Sequence, residues 1–273
     1  MRTSAGSRFG SGRVWAGLLA SVLLGGCTSS GDGTEDPGPP TSGPPDRRGF
    51  VIRFEEPAVA DRDGAAFLRE RKVMETVTAT LDAFVRMDRQ VTVVGRSCAG
   101  EGSAYDPDRL RIDVCYDEVA EERGLFERAG RGRADDDVAA VLVETLYHEA
   151  GHALVDVVRP TLTDRAEEDA ADRFAALMLL RQGPDGERLL RSAAEEYRLA
   201  AAEGDPAAGG ADEHSPDLVR AANHVCFLYG SAPERNLDLA NSPLLSPARA
   251  AGCAAEWTHV RDAWTADLAP VLR

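Results

Sequence analysis

The feature that most constrains this chain is the six-residue stretch YHEAGH at positions 147–152, which contains the pattern H-E-x-x-H. On a helix, residues four positions apart lie on one face, so His148 and His152 can bind one ion while Glu149 lies beside it. Two imidazoles and a neighbouring carboxylate are what a zinc hydrolase needs: nitrogen ligands, and a base for a metal-activated water. The alternative is a surface helix that carries two histidines by chance.

The residues around the motif favour a buried helix. The apolar positions recur at helical spacing and are followed by Pro160; they include Val138, Val141, Leu142, Leu146, Leu154 and Val155. A helix this apolar is largely buried, so its polar residues need partners. Gly151 lies in mid-helix, where glycine costs about 1 kcal/mol relative to alanine, so we expect another element to approach its backbone closely.

An acidic segment follows at positions 167–172, with the sequence EEDAAD. It is predicted to open the next helix, with Asp164 as the N-cap residue. Glu168 and Asp172 are four apart and share a face. We assign Glu168 as the third zinc ligand and Asp172 as the acceptor for the N–H of a ligating histidine, which fixes the orientation of that ring. The alternative is an ordinary acidic first turn that complements the helix dipole, an account that suffices for Glu167 and Asp169.

H-E-x-x-H followed by E-x-x-x-D resembles the gluzincin metallopeptidases. Together with the DEHS run at 212–215 and the LYG run at 228–230, these motifs more closely resemble a family of uncharacterised bacterial putative metallopeptidases, from about residue 50 to about residue 270. The resemblance implies a zincin-like fold with zinc as cofactor. The fold class we expect is α+β and mostly helical, with a small antiparallel sheet packed on the zinc helix and a helical C-terminal part.

His214 is the third histidine of interest, because it follows two acidic residues directly before a predicted helix. Zinc peptidases often need a donor beside the metal to stabilise the oxyanion of the tetrahedral intermediate, and His214 can supply it. The alternative is polar helix entry. His224 and His259 have no motif around them and are predicted to be structural.

The N-terminal part is predicted to be a targeting signal followed by a tether. A basic start, an apolar run at 14–24 and Cys27 after small residues resemble a bacterial lipobox. We therefore predict a lipoprotein signal peptide at 1–26 and lipidation of Cys27, which holds the protein on the outer face of a membrane. An ordinary secretory signal is the alternative. Residues 27–48, rich in Gly, Pro and Ser, are predicted to be a disordered tether, and 49–273 the metallopeptidase domain.

The rest of the chain gives a coarse order of elements. Strands are predicted at Phe50–Phe54, Val91–Val94 and Leu110–Cys115, a turn at Tyr105–Asp108, a long helix at Gly64–Arg89, a lid-like polar segment at Gly124–Asp137, and three C-terminal helices from 186 onward. In zincin-like folds the strand before the zinc helix often forms the edge of the cleft. By that resemblance Leu110–Cys115 is the candidate edge for a substrate peptide; an ordinary meander strand is the alternative.

Four cysteines remain beside Cys27. Cys98, Cys115, Cys226 and Cys253 form an even set, which in an oxidising compartment predicts disulfides. Four cysteines allow three pairings, and locality favours Cys98–Cys115 and Cys226–Cys253. The alternative, a four-cysteine zinc site, lacks any C-x-x-C spacing.

The formal net charge of −15 disfavours nucleic acid as a partner, because a strongly acidic chain repels phosphates. We predict a membrane-anchored, extracytoplasmic zinc metallopeptidase that acts on a peptide or protein substrate, with Glu149 as the proton acceptor. The alternatives are a zinc-stabilised surface lipoprotein that binds a partner without catalysis, and a zinc amidase that acts on cell-wall peptides. The oligomeric state stays open.

Overall fold

The computed structural model describes residues 48–132, 134–158, 162–204 and 214–273. The predicted signal peptide, Cys27 and all of the predicted tether except its last residue lie outside this part of the chain, as does Pro160. No helix of the described ranges is long and apolar enough to cross a membrane.

The fold is α+β and mostly helical, as predicted. The described elements are β1 (Gly49–Phe54), α1 (Arg62–Arg71), α2 (Val73–Phe84), β2 (Gln90–Arg96), β3 (Ala104–Asp106), β4 (Arg111–Cys115), α3 (Glu118–Arg128), α4 (Asp135–Val158), α5 (Asp164–Leu180), α6 (Pro184–Glu203), α7 (Asp217–Ser231) and α8 (Pro247–Leu268). Short 3-10 turns lie at Val59–Asp61 and Leu237–Leu239.

The sheet is mixed, so the expectation of an antiparallel sheet was wrong. Its order is β1-β2-β4-β3; β1 and β2 are parallel, β2 and β4 are parallel, and β3 is antiparallel to β4. The physical reason lies in the connections. Parallel neighbours need a long crossover, and the helices α1 and α2 provide one between β1 and β2.

The outer strand beside α4 is β3, so the prediction that Leu110–Cys115 forms the free edge was wrong. That segment forms β4, which lies between β2 and β3 and has no free edge. Tyr105 and Asp106, predicted to be in a turn, belong to β3. A strand of three residues is too short to show alternation, and its Asp-Pro flank is typical of a turn.

Three helix predictions also need correction. The predicted helix Gly64–Arg89 is two helices, because Lys72 between α1 and α2 has the left-handed φ of 53° and ends the first helix. Residues 124–128 of the predicted lid segment are the end of the helix α3, which buries Val119, Leu125 and Phe126, and residues 135–137 begin α4. The N-cap residue of α5 is Thr163 rather than Asp164, a shift of one position.

The helix α4 is the centre of the fold. It packs against α2, α5 and α6 and reaches β3 and β4 at the sheet. Its apolar residues are buried, among them Val138, Leu142, Leu146 and Leu154. The motif at 147–152 is therefore held from several sides, as its apolar flanks predict.

Both predicted disulfides are confirmed. Cys98–Cys115 joins the segment after β2 to the end of β4, with a Cα–Cα distance of 5.4 Å. Cys226–Cys253 joins α7 to α8, with a Cα–Cα distance of 5.1 Å. The second bridge ties together the two last helices of the chain.

At Gly151 the backbones of α4 and α5 approach each other closely. A Cβ atom on Gly151 would lie 2.9 Å from the Cα and 3.2 Å from the Cβ of Ala171. The expected close approach to this glycine is therefore present, and it brings the histidine-bearing turn of α4 against the acidic turn of α5.

Replacing Gly151 with alanine should destabilise the protein by about 1–3 kcal/mol, because the added methyl forces two packed helix backbones apart. The matched control is Gly252→Ala on α8, where an added Cβ meets nothing within 4 Å. There, alanine should stabilise the helix by about 0.5–1 kcal/mol. Urea unfolding midpoints of both variants test this, and equal midpoints would contradict the close-packing account.

Candidate metal centre

Two imidazoles and a carboxylate meet at the contact between α4 and α5. The Nε2 atoms of His148 and His152 are 3.2 Å apart. Oε2 of Glu168 lies 3.1 Å from Nε2 of His148 and 3.5 Å from Nε2 of His152. The three residues assigned as ligands from the sequence thus present their donor atoms to a common point.

His214 lies at the same point, although it is distant in sequence from α4. Its Nε2 is 3.0 Å from Oε2 of Glu168, and its ring stacks 6.1 Å from that of His148. The donor atoms of His148, Glu168 and His214 all lie within 4.8 Å of one another. The side chain of His214 is 36% exposed, against 5–12% for the other three residues, so it faces the solvent side of the site.

The donor set fits a metal ion. Oε2 of Glu168 is buried, and no described residue donates a hydrogen bond to it in good geometry, although three imidazole nitrogens surround it. A tetrahedral zinc ion with bonds near 2.0–2.1 Å holds its ligand atoms about 3.3 Å apart. The separations of 3.1, 3.2 and 3.5 Å among the donor atoms of His148, His152 and Glu168 match that spacing.

The outer nitrogens of both histidines bind carboxylates. Nδ1 of His148 lies 2.8 Å from Oδ1 of Asp172, and Nδ1 of His152 lies 2.8 Å from Oε1 of Glu167. Because a carboxylate only accepts, each Nδ1 carries a proton, and Nε2 is the nitrogen of each ring that binds an ion once its own proton is lost. The structure thus places Asp172 where the sequence prediction put it. Glu167 does more than complement the helix dipole, and sequence reasoning missed this.

The electrostatics of the site favour a cation. Burial alone would lower the pKa of His148, but its contacts with Asp172 and Glu168 raise it to about 10. Burial would raise the pKa of Glu168, but the three surrounding imidazoles hold it below its ordinary range. The same competition lowers the pKa of Asp172, where the charge of Arg220 prevails over burial.

Sequence reasoning also missed Arg220 of α7, which donates two hydrogen bonds to Asp172. It lies 48 positions after Asp172, and no local pattern marks it. His224, predicted to be structural, is fully buried, with its Nε2 2.8 Å from Oε1 of Glu144.

Glu149 lies between two cavities. It is 7% exposed. Burial raises its pKa above the ordinary value. The larger cavity, of about 440 Å³, lies between β3 and the acidic start of α5 and is lined by Tyr105, Glu149, His152 and His214, among others.

The smaller cavity, of about 200 Å³, lies on the other side of His148 and Glu149 and is rich in glutamates. Burial, with repulsion from neighbouring carboxylates, raises the pKa of Glu122 to about 7 and that of Glu196 to about 9. Burial also raises the pKa of Glu118 to about 7, against the hydrogen bonds that it accepts from Ser103.

Comparison with known proteins gives one finding. The model of a family described as "Putative metallopeptidase" (DUF4344) matches residues 55–268. No curated protein and no solved structure matches the chain. The matched range contains α4, α5 and the segment with His214, and so covers every residue of the candidate metal centre.

Glu196→Gln should stabilise the protein increasingly as pH rises. In the folded chain this carboxyl keeps its proton up to about pH 9, whereas a glutamate in the unfolded chain loses it near its ordinary pKa of 4.5. The wild type therefore loses stability between these two values, and the amide does not. The Tm difference between variant and wild type should be near zero at pH 5 and clearly positive at pH 9.

Glu195→Gln is the matched control from the neighbouring position. A hydrogen bond from Arg198 lowers the pKa of Glu195, so its contribution to stability is present at neutral pH and is lost on acidification. This variant should lower Tm slightly from pH 7 to pH 9 with no trend. A flat Tm difference for Glu196→Gln would show that its carboxyl is not held protonated.

Proposed function

This chain belongs to the DUF4344 family, and from that membership we propose that it is a zinc metallopeptidase that hydrolyses peptide bonds. The observation that carries the proposal is the convergence of His148, His152 and Glu168 at the separations of tetrahedral zinc ligands. Two nitrogens and one carboxylate oxygen are the donor set of a catalytic zinc site that keeps a position open for water or substrate. A non-catalytic zinc site is usually closed by four protein ligands.

His148, His152 and Glu168 would hold the zinc ion. Bound there, zinc supplies Lewis acidity, which lowers the pKa of water and polarises the substrate carbonyl. Asp172 and Glu167 keep the two imidazoles in the ligating tautomer.

Glu149 acts as the general base and then as the general acid. It takes a proton from the water that adds to the peptide carbonyl carbon. When the C–N bond breaks, Glu149 gives that proton to the leaving amine. Glu149 lines both cavities, so it lies where water and substrate would arrive.

His214 stabilises the oxyanion. Its greater exposure and its place in the lining of both cavities suit a group that faces the substrate. An N–H donor at this position gains strength as negative charge develops on the carbonyl oxygen.

A peptide substrate would bind along β3 in a zincin-like arrangement. The outer edge of β3 borders the larger cavity, and an extended peptide can pair with a free strand edge through backbone hydrogen bonds. The hydroxyl of Tyr105 donates to Asp156 on α4 at 3.0 Å. This bond supports the proposal, because it fixes the strand edge relative to the zinc helix.

The proposed location is the extracytoplasmic face of a membrane, with the domain held by lipid on Cys27. The basic, apolar and small-residue pattern before Cys27 supports it. Two disulfides also support it, since such bonds persist in oxidising compartments. The domain would then follow a tether at 27–48.

Glu149→Gln should abolish hydrolysis and leave zinc bound, because the amide cannot accept the proton while the three ligands are intact. His148→Ala should lose both. Zinc content by atomic absorption, measured beside cleavage of a peptide library and of cell-wall material, tests this and separates protease from amidase. If wild type and Glu149→Gln both bind zinc and neither cleaves any substrate, the binding lipoprotein replaces the enzyme. If both cleave equally fast, Glu149 is not the base.

His214→Ala should keep one equivalent of zinc and lower kcat by about 10²–10³-fold, the usual effect of removing one oxyanion donor. Zinc content and steady-state kinetics test it. Loss of zinc together with activity would instead make His214 a ligand.

A further inference from the structure

A buried network of side chains continues the metal centre into the interior of the protein. Asp172, which holds His148, accepts from Nε of Arg220 at 2.9 Å through Oδ2 and from its Nη2 at 2.6 Å through Oδ1. Both side chains of this pair are 11% exposed. A two-point contact of this kind fixes the plane of a carboxylate, which a single hydrogen bond does not.

Arg220 is itself held on its other side. Its guanidinium lies over the ring of Tyr197 at 4.1 Å, and the Tyr197 hydroxyl donates to Oε2 of Glu144 at 3.3 Å. Glu144 also binds the buried His224, one helical turn after Arg220 on α7. Four helices thus contribute to the support: α4, α5, α6 and α7.

The network connects α7 to the turn of α4 that carries His148. Glu144 and His148 are one turn apart on α4, and Arg220 and His224 are one turn apart on α7, so the two helices face each other through these pairs. Arg220 Nη2 also comes within 3.5 Å of His148 Nδ1. This contact is not a hydrogen bond, because Nδ1 of His148 and Nη2 of Arg220 are both donors. The two nitrogens are close because both donate to Oδ1 of Asp172.

Burying a guanidinium costs desolvation free energy unless well-placed hydrogen bonds offset it. An apolar residue at this position would pack without that cost. We propose that Arg220 is a positioning residue, which locks Asp172 and through it the ring of His148 in the orientation that binds the metal. The inference rests on the proposed function, since it assigns Arg220 to the zinc site. By this inference α7 contributes a positioning residue to the metal centre, although it supplies none of the three proposed zinc ligands.

The test is metal affinity, measured by competition with a chelator for Zn²⁺, with the absorption spectrum of the Co²⁺-loaded protein as a second readout. Arg220→Lys keeps the charge but lacks the two-point fork. It should bind Zn²⁺ more weakly, by up to the about 10–100-fold that loss of a ligand's direct partner costs, and shift the Co²⁺ bands. The control is Arg235→Lys, which breaks a two-point pair with Glu187. Arg235 is mostly exposed and neither residue lines the two cavities, so this variant should change neither readout.

A double variant shows whether Arg220 acts through Asp172. If it does, Arg220→Met combined with Asp172→Asn should weaken Zn²⁺ binding no more than Asp172→Asn alone, within about twofold. This neutral pair also guards against misfolding, because it leaves no buried lone charge.

The inference is overturned if Arg220→Lys binds Zn²⁺ as tightly as the wild type and shows the same Co²⁺ bands. It is also overturned if the double variant loses Zn²⁺ affinity by the product of the two factors measured for Arg220→Met and Asp172→Asn alone. Absence of Zn²⁺ binding by the wild type would overturn the proposed function as well, whereas tight wild-type binding insensitive to Arg220 overturns only the positioning role.

Discussion

The structure depends on one contact, the close apposition of α4 and α5 at Gly151 and Ala171. Without a side chain at Gly151, one turn of α4 carrying two imidazoles lies directly against one turn of α5 carrying Glu168. Three imidazole nitrogens then surround a single buried oxygen at 3.0–3.5 Å. Such an arrangement of polar atoms in a buried position is explained by a cation between them, because buried polar groups otherwise require hydrogen-bond partners.

Several ionic groups around this contact orient the two imidazole rings. Each ligating histidine has its own carboxylate, Asp172 for His148 and Glu167 for His152. Asp172 in turn is bound by Arg220 from α7. The C-terminal helices, which on sequence alone look purely structural, therefore contribute to the centre, and the Cys226–Cys253 bridge ties α7 to α8 behind it.

Much of this could be predicted because it is local in sequence. The histidine pair, Glu149 and the Glu168–Asp172 pair each lie within one helical turn, where fixed spacing determines which side chains share a face. The disulfides were predicted because the nearest cysteines in sequence were expected to pair with each other. The class of fold, α+β and mostly helical, was expected from the family resemblance, together with the strands and helices that the spacing of apolar residues predicts.

What could not be predicted depends on contacts distant in sequence. Arg220 reaches Asp172 only because α7 packs beside α5, and no spacing encodes that. The direction of the strands follows from how α1 and α2 return the chain, so the mixed sheet was missed. β3 was missed because three residues with an Asp-Pro flank are typical of a turn. The free edge of the sheet beside α4 was missed with it.

The central claim is that a zinc ion lies between α4 and α5, and anomalous diffraction at the zinc absorption edge tests it most directly. The account predicts one peak about 2.0–2.1 Å from Nε2 of His148, Nε2 of His152 and a carboxylate oxygen of Glu168. A crystal grown with zinc that shows no peak there, or shows Glu168 turned away from both imidazoles, would contradict it.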